Sequence, residues 1–339
     1  MVAPEQNEAD WDSFVDAHPA ATGYHRWAWR RVFEGAFGHE TVYLAAREHG
    51  RIVGVLPLVV FRRSWFGTFV VSLPFVNYGG VLASDRIVAK RLLEAAAALT
   101  CQFRASHLEL RHRARAFPDL PVKSHKVAML MPLASDVEAA WNALDRKVRN
   151  QIRKAEKSGL RASVGGADRV ADFYRVFAEN MRDLGTPVYP RRLFEQVVEQ
   201  FPREARVVIV TQGGTPVAGG IGCGYRDTVE VPWASSLKAF RSFCPNNLLY
   251  WTLIQQAIAD GYKVFDFGRS TPGEGTYHFK VQWGARPEPL YWEYRLIARA
   301  DIPDQSPKNP KFRAAIALWK RLPVRLTTLL GPSIVRSIP

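Results

Sequence analysis

The feature that most constrains the fold is a pattern that occurs once in each half of the chain. Residues 39–61 (HETVYLAAREHGRIVGVLPLVVF) are typical of two apolar strands separated by a turn at His49–Gly50. Residues 204–225 (EARVVIVTQGGTPVAGGIGCGY) have the same form, with a turn at Gly213–Gly214. Because a recurrence at domain scale indicates duplicated architecture, we expect two structural units of one design.

Each hairpin is followed by further strand material, a helix and a short closing strand. Apolar residues at helical spacing predict helices over 87–103 and 246–260. The runs HLELR (107–111) and KVFDFGR (263–269) predict the closing strands. The pattern therefore predicts an α+β fold in which each unit has a mixed, mostly antiparallel sheet flanked by helices.

The positive charge of the chain is concentrated in two segments. Residues 146–161 contain seven Lys or Arg and one Glu, residues 308–339 contain seven Lys or Arg and no acid, and together they supply 13 of the net charge of +14. Two local positive surfaces fit polyanionic partners such as phosphates, tRNA or an anionic membrane face. The alternative is that both segments are solvated surfaces that bind nothing specific.

The first basic segment belongs to a helix predicted over 136–158, which Gly159 is placed to end in the left-handed conformation. Its apolar stripe is formed by Trp141, Leu144, Val148, Ile152 and Ala155. Acidic partners four residues from the cations are nearly absent, which favours a bound anion over a solvated face. The residues predicted to bind tRNA or phosphate are Arg146, Arg149, Arg153, Lys154 and Lys157.

The cysteines and the start of the chain bear on compartment and metal content. Cys101, Cys223 and Cys244 have unrelated spacings, which argues against a disulfide framework and gives no zinc pattern. The acidic start, MVAPEQNEADWDSF, has no apolar segment of the kind that a secretory signal carries. We therefore expect a cytoplasmic protein with no metal site.

Residues 263–284 (KVFDFGRSTPGEGTYHFKVQWG) carry the clearest chemistry. A strand leads to Asp266, Arg269 and Ser270, and a turn with two glycines follows. A short element then presents Tyr277, His278, Phe279, Lys280 and Trp283. Mixed ionisable groups at the junction of a strand and a loop are typical of functional sites in α/β proteins. A solvated loop whose aromatic residues fold back on the core explains the same pattern.

This segment resembles the C-terminal signature of the FemAB-type acyltransferases, in which FDFGRS, a glycine-rich turn and YHFK..WG recur in that order. The closest resemblance is to the branch associated with exosortase/PEP-CTERM and exopolysaccharide clusters. RKVRNQIRKAEKSGL (146–160) is similar to the family's basic helix, and NPKF…WKRLP…LGP resembles the tail of that branch. The matches cover most of the chain from about Asp136 onward.

The resemblance implies two tandem GNAT-like domains, at 1–135 and 161–300, with a connecting basic helix at 136–160 and a C-terminal basic amphipathic tail at 301–339. It also implies transfer of an activated acyl group, usually an aminoacyl ester on tRNA, to a primary amine of a cell-wall precursor. No permanently bound cofactor is expected.

The family's Phe–Lys pair maps to Phe279 and Lys280, and the resemblance gives the lysine the task of meeting the charge of the donor end and the reacting carbonyl. Asp266 is a candidate to accept a proton or hydrogen bond from the amine, and Arg269 to grip a carboxylate or phosphate. A salt bridge or turn cap is the structural alternative for these two residues. The other predicted substrate contacts in this segment are Ser270, Tyr277, His278 and Trp283.

In the first unit, HRWAWRR (25–31) stands where the family has W-G-x-x-K, whose lysine contacts precursor phosphate. Arg31 aligns with that lysine, and Ala28 replaces the glycine. Because an arginine can bind phosphate through two N–H groups, replacement of the lysine by Arg31 is compatible with contact to the precursor phosphate. PFVNYGG (74–80) is a candidate lining of the acceptor groove through Asn77 and Tyr78, and a plain β-turn is the alternative.

Two acyl donors stay open. Aminoacyl-tRNA suits the family and the basic helix. Acyl-CoA, which GNAT-like units usually bind, needs a turn whose N–H groups cradle the pyrophosphate, and RSFCPNN (241–247) places Cys244 and Pro245 in that turn, which disfavours CoA. Two interpretations from other classes are an RNA-binding module without catalysis and an idle scaffold of envelope assembly.

The tail is predicted to contain a helix that opens at Pro310 and carries Phe312, Ile316 and Trp319 on one face, followed by the apolar patch LTTLLGPSIV. Packing on the body of the protein is one role for it. Contact with an anionic inner leaflet, where a lipid-linked precursor is presented, is the other, and it places the protein peripherally at the inner face of the membrane.

Overall fold

The computed structural model describes residues 1–62, 67–303 and 313–338, and it divides into two compact units. Unit 1 comprises residues 1–127, 289–305 and 336–339, and unit 2 comprises residues 128–288 and 306–335. The predicted boundaries placed residues 289–300 in the second domain. The structure differs because Tyr291–Leu296 forms a strand of the unit 1 sheet.

Unit 1 contains the first predicted hairpin, which turns at His49 and Gly50 with positive φ at both residues, as a two-residue turn of type I′ requires. The hairpin prediction is confirmed. The elements in chain order are β1 (Val2–Pro4), α1 (Glu8–Ala17), α2 (Ala28–Phe37), β2 (Glu40–Glu48), β3 (Arg51–Phe61), β4 (Phe69–Val71), β5 (Leu82–Ala83), α3 (Arg86–Gln102), β6 (His107–His112) and β7 (Val122–Lys123).

The described strands of unit 1 form one mixed sheet in the order β1-β2-β3-β4-β6-β15-β7, in which β15 is Tyr291–Leu296 and β5 pairs with β3. Asp85 caps the start of helix α3, since its carboxylate accepts hydrogen bonds from the N–H groups of Ile87 and Val88 in the first turn. Its buried side chains pack into the apolar core of the sheet. Gly54 permits this close approach, since a Cβ there would lie 2.7 Å from Val88 Cγ1.

Unit 2 contains the second predicted hairpin, which turns at Gly213 and Gly214 and is also confirmed. Its elements are β8 (Val127–Pro132), α4 (Val137–Ala143), α5 (Arg146–Lys157), β9 (Leu160–Gly165), α6 (Val170–Leu184), α7 (Arg191–Gln200), β10 (Ala205–Gln212), β11 (Thr215–Tyr225), β12 (Thr228–Ser236), α8 (Pro245–Ala259), β13 (Val264–Ser270), α9 (Gly275–Val281) and β14 (Arg286–Pro289). The strand order is β14-β8-β13-β12-β11-β10-β9.

Strands β12 and β13 of unit 2 are parallel and separate after three residue pairs, of which the last is Glu230 with Asp266. Beyond that pair β12 stays bonded to β11 as far as Ser236, whereas β13, whose other neighbour in the sheet is β8, continues to Ser270. The two strands therefore part, and two acidic residues mark the point of separation.

The single helix predicted over 136–158 is wrong, because the structure has two. Helix α4 ends at Ala143, Leu144 is extended with ψ of 143°, and Asp145 caps α5 by accepting a hydrogen bond from Lys147 N–H at 2.6 Å. A capping carboxylate satisfies an N–H that has no partner at a helix start, so a new helix begins there. Gly159 has the predicted positive φ, at 79°.

The tail contains two helices, α10 (Arg313–Trp319) and α11 (Val324–Val335). Pro310 and Phe312, which open the predicted tail helix, lie outside the described residues. Ile316 and Trp319 are half-buried, and all of the apolar patch after them, residues 326–335, belongs to α11. Within the described ranges, no helix has the length and apolar character needed to cross a membrane.

Candidate active site

The end of β13 is shaped by Asp266. This residue is fully buried, and its carboxylate accepts a hydrogen bond from Gly268 N–H at 2.8 Å. Gly268 has φ of +73°, which is unfavourable for residues with a Cβ, so the glycine allows the chain to bend around the carboxylate. The Asp266 carboxylate is therefore fixed against the backbone two residues further along β13.

Lys280 reaches the backbone carbonyl groups of this bend from α9. Its side chain is buried, and Nζ donates hydrogen bonds to Gly268 O at 2.9 Å and Arg269 O at 3.0 Å. An ammonium group has three N–H bonds, so one remains after these two contacts. The arrangement fixes a cation beside the point where β12 and β13 part.

Burial lowers the pKa of Lys280 from 10.5 to about 8. The charges of Asp266 and Glu230 act in the opposite direction, and the charge of Arg269 lowers the pKa further. The lysine is therefore mostly cationic at neutral pH and loses its proton not far above it. Buried groups with such displaced pKa values are common at functional sites.

Two more polar groups of this segment are buried without a hydrogen-bond partner in the described part of the chain. They are Ser270 Oγ, at the end of β13, and Trp283 Nε1, which follows α9. A buried donor without a partner costs free energy, and native proteins usually satisfy it with water or a ligand. Both groups are candidate donors to a bound carbonyl or carboxylate oxygen.

The other predicted residues of this segment are less enclosed. Phe279 is half-buried, and its ring centroid lies 5.4 Å from that of Tyr250. Arg269 and Tyr277 are also half-buried, whereas His278 is exposed and contacts the Tyr277 ring edge to face. The structure thus gathers Asp266 and Lys280 around one short turn and leaves His278 at the surface.

The predicted anion-binding residues of α5 divide between two neighbouring rows. Arg146 and Lys154 line an open depression of about 480 Å³, whose other lining residues are Asp145, Lys147, Asn150 and Gln151. The second row is formed by Arg149, Arg153 and Lys157, which are spaced four residues apart. In that row the guanidinium of Arg153 lies 5.3 Å from the Trp141 ring centroid, and Arg149 Nε is buried without a hydrogen-bond partner among the described residues.

The turn that precedes α8 is poorly suited to cradle a pyrophosphate. Cys244 has φ of +60°, and Pro245, the first residue of α8, has no N–H. The N–H of Asn247 is already bonded to Cys244 O at 3.1 Å. Since anion binding at a helix start needs free N–H groups, this geometry disfavours CoA at the turn.

The predicted residues of unit 1 have other partners in the structure. Arg31 is exposed and forms a two-pronged ion pair with Glu8, at 2.7 and 2.9 Å. Asn77 and Tyr78 are buried, and the Tyr78 ring packs against Tyr24 at 5.4 Å. A phosphate at Arg31 would have to compete with Glu8, and contact of all three residues with an acceptor stays a prediction.

Glu230 was not predicted from the sequence. It is buried on β12, pairs in register with Asp266, and its charge raises the pKa of Lys280. The available signal was an acid between two valines in a strand (TVEVPWASS). An acid at a buried strand position indicates a partner, because carboxylates are rarely buried alone.

Comparison with known proteins identifies the type of domain that contains these residues. Residues 143–281 match the family model described as an acetyltransferase (GNAT) domain, so the chain carries a GNAT-type domain that includes Glu230, Asp266 and Lys280. No curated protein matches the sequence. In the described ranges, no group of three or more His, Cys, Asp or Glu residues is placed to hold a metal ion.

Solved structures resemble most of the chain at low sequence identity. The crystal structure of FemX is 13% identical with a TM-score of 0.67, and the match covers 88% of this chain and 98% of FemX. A tandem GNAT protein from the clavulanic acid biosynthesis pathway is 10% identical with a TM-score of 0.56, covering 89% and 99% of the two chains. L-PGS from Bacillus licheniformis is 13% identical with a TM-score of 0.55, covering 97% and 98%.

At these identities the likeness shows the fold alone. It confirms the predicted fold class, which is α+β with two tandem GNAT-like domains, each a mixed sheet flanked by helices.

Proposed function

We propose that the protein is a FemAB-like acyltransferase that transfers an aminoacyl or acyl group to a primary amine of a cell-envelope precursor, in peptidoglycan or exopolysaccharide synthesis. The observation that carries this proposal is the buried cation of Lys280, anchored on two backbone carbonyls where β12 and β13 part. The GNAT match over 143–281 and the fold likeness to FemX support the same reaction class.

In the proposed reaction a neutral amine attacks the carbonyl carbon of the donor. A C–N bond forms, the bond from that carbon to the ester oxygen of an aminoacyl-tRNA breaks, and a proton passes from the amine to the leaving oxygen. Negative charge develops on the carbonyl oxygen, and the remaining N–H of Lys280 stabilises it. Holding the two substrates in contact lowers the entropic part of the barrier.

The neighbouring side chains have supporting roles in this proposal. Ser270 Oγ and Trp283 Nε1 donate hydrogen bonds to the donor, since both are buried and lack partners within the described chain. Phe279 packs beside the acyl group. The half-buried or exposed groups bind the charged and polar ends of the substrates, and they are Arg269, Tyr277 and His278.

Asp266 mainly fixes the backbone turn and stabilises the charge of Lys280 in this proposal. Its carboxylate holds Gly268 N–H, and its charge offsets part of the cost of burying the Lys280 cation. Complete burial favours this role over direct proton transfer from the amine.

Aminoacyl-tRNA is the donor that the described residues favour. The depression at the start of α5 contributes Arg146, Lys147 and Lys154, and the row of Arg149, Arg153 and Lys157 adds further cations. Acyl-CoA is the alternative donor. It is supported by the acetyltransferase description of the matched domain and opposed by the turn at Cys244 and Pro245.

The acceptor is an envelope precursor, either soluble or lipid-linked. Contact with it is assigned to Arg31 by resemblance, and to Asn77 and Tyr78 because they belong to the polar and aromatic stretch 74–80. We place the reaction in the cytoplasm, peripherally at the inner face of the membrane. Membership of the branch associated with exosortase/PEP-CTERM and exopolysaccharide clusters would make an exopolysaccharide amine the acceptor.

The test is acyl transfer by the purified chain and two matched lysine variants. Lys280→Met should lower kcat by about a hundredfold or more, as loss of an oxyanion-stabilising donor does in other enzymes. Lys263→Ala, at an exposed lysine just before β13, should leave kcat unchanged. Full activity in a folded Lys280→Met variant would refute the assignment.

Melting temperatures distinguish the donors, because a ligand stabilises the state that binds it. A rise with aminoacyl-tRNA that exceeds the rise with uncharged tRNA supports the tRNA-dependent reaction, and a rise with acyl-CoA alone supports the alternative. Equal binding of charged and uncharged tRNA with a steep salt dependence and no transfer would identify an RNA-binding protein instead. In cells, mass spectrometry of envelope precursors from a deletion strain should show the loss of an acylated amine.

A further inference from the structure

The tail helix α11 has one packed side and one exposed apolar side. Thr327, Gly331 and Val335, four residues apart, are buried in the structure. Gly331 is in close contact with the loop between α6 and α7, where a Cβ would lie 2.8 Å from Val188 N. Because a larger side chain cannot fit there, the glycine fixes which side of α11 faces outward.

The outward side of this region is apolar. Leu329 is 73% exposed and Leu318, at the end of α10, is 63% exposed. Leu326, Leu330 and Ile334 are also exposed, and together with Leu329 they recur every three or four residues along α11. We call this set, Leu318, Leu326, Leu329, Leu330 and Ile334, the apolar tail surface.

Cations accompany the apolar tail surface without any acid. Residues 313–335 contain four basic residues and no Asp or Glu, and all four cations are exposed: Arg313, Lys320, Arg321 and Arg325. An apolar stripe flanked by cations is complementary to a surface with an apolar interior and anionic headgroups.

We propose that the apolar tail surface docks the protein on an anionic lipid bilayer, with α11 lying in the interfacial plane. Twelve residues of α-helix span about 18 Å, which is less than the hydrocarbon thickness, so α11 lies on the membrane and does not cross it. A second copy of the chain fits less well, since a two-fold contact would set four cations against four. A nucleic acid would pair with the cations but would not bury the exposed leucines, so it fits this surface less well than a bilayer.

Docking gives a structural cause for the peripheral placement proposed above, but the chemistry of acyl transfer does not depend on it, so the two proposals can fail separately. The test is flotation of the full chain with two kinds of vesicle, phosphatidylcholine alone and phosphatidylcholine mixed with phosphatidylglycerol. We expect binding to the mixed vesicles, weak binding to the neutral ones, and a decrease as salt is raised.

Two variants separate the apolar and ionic parts of docking. Leu326→Glu combined with Leu329→Glu should reduce partitioning at least tenfold, whereas Ile87→Glu, at an exposed apolar residue of α3, should have no effect. Arg321→Gln combined with Arg325→Gln should reduce partitioning onto the mixed vesicles about fivefold for each cation removed. Arg51→Gln combined with Arg86→Gln is the matched control on unit 1.

Three results would overturn docking. They are absence of vesicle binding by the unmodified chain, undiminished binding by the double glutamate variant, and self-association without vesicle binding that the same variant abolishes. The last result would assign the surface to a second copy of the chain. Transfer to a soluble amine acceptor should be equal in the unmodified chain and the double glutamate variant, which also shows that the variant is folded.

Discussion

Units 1 and 2 each contain a parallel pair of strands that ends at a buried acid, and they use that position in different ways. In unit 1 the pair is β4 with β6, and its last residues are Val71 and Glu109. In unit 2 the pair is β12 with β13, and its last residues are Glu230 and Asp266. Glu109 and Asp266 therefore hold corresponding positions in two similar sheets.

In unit 1 the strand end is filled by the chain itself. Ser72 N–H bonds to Glu109 O at 2.8 Å, Gly79 N–H bonds to Arg111 O at 3.2 Å, and residues 72–80 are all buried. In unit 2, β12 turns away with β11 after Glu230, and β13 continues to Ser270 without β12 beside it. There the carbonyls of Gly268 and Arg269 accept hydrogen bonds from the Lys280 side chain.

The cations beside the two acids differ accordingly. Arg111 is 1% exposed, and its guanidinium bonds to Glu109 at 2.7 Å and Val76 O at 3.1 Å and stacks 4.4 Å from the Trp292 ring centroid. Lys280 belongs to a separate helix, α9. Its ammonium group uses two N–H bonds on backbone carbonyls and has a third that these contacts do not use, and its pKa is lowered. Arginine suits a permanent ion pair and lysine a group whose charge responds to its surroundings.

The largest effect that tests this contrast is on stability. Arg111→Met should lower the free energy of unfolding by about 3–5 kcal/mol, because it leaves the Glu109 carboxylate buried without its cation. Chemical denaturation measures the change. Arg91→Met removes an exposed ion pair with Glu48 and should cost at most about 1 kcal/mol. Equal costs for the two variants would show that Arg111 is not a structural cation.

The second effect is the pH dependence of stability that Lys280 confers. Its pKa is about 8 in the folded protein and ordinarily 10.5, so between these values the unfolded chain binds more protons and stability rises with pH. The rise is on the order of 3 kcal/mol, since one pKa unit corresponds to 1.36 kcal/mol.

Denaturation of the unmodified chain and of Lys280→Met between pH 7 and about pH 10 isolates this contribution. The difference in unfolding free energy between the two proteins should shift in favour of the unmodified chain as pH increases. A difference that stays constant across this range would mean that Lys280 is solvated like a surface lysine. The same comparison with Arg111→Met is the control and should show no such slope.

Local patterns predicted most of the elements but not how the chain is shared between units. The turns at His49–Gly50 and Gly213–Gly214, the helices α3 and α8 and the strands β6 and β13 follow from periodicity and glycine placement. The return of β15 to the first sheet does not, because its pairing with β6 depends on contacts between residues far apart in sequence.

At the site, composition identified the segment and geometry was needed to rank its residues. Lys280 and Asp266 lie 14 positions apart, and only the bend at Gly268 brings the carbonyls and the two charges together. Glu230 lies on another strand and reaches the site through register. Leu144 and Asp145 show why periodicity alone did not predict the helix break. The apolar stripe continues across the break, which occurs because the Asp145 carboxylate caps a new helix.

The smallest effect concerns two buried serines that the units use differently. Ser270 Oγ has no partner in the described part of the chain, whereas Ser72 Oγ accepts a hydrogen bond from Arg111 N–H at 2.9 Å. Ser270→Ala should therefore leave the free energy of unfolding nearly unchanged and lower kcat about tenfold, the effect of losing a hydrogen bond of about 1.4 kcal/mol to the reacting group. Ser72→Ala should do the reverse, costing about 1 kcal/mol of stability with kcat unaffected. If Ser270→Ala instead destabilises the protein and spares kcat, the end of β13 is a packing feature like its counterpart in unit 1.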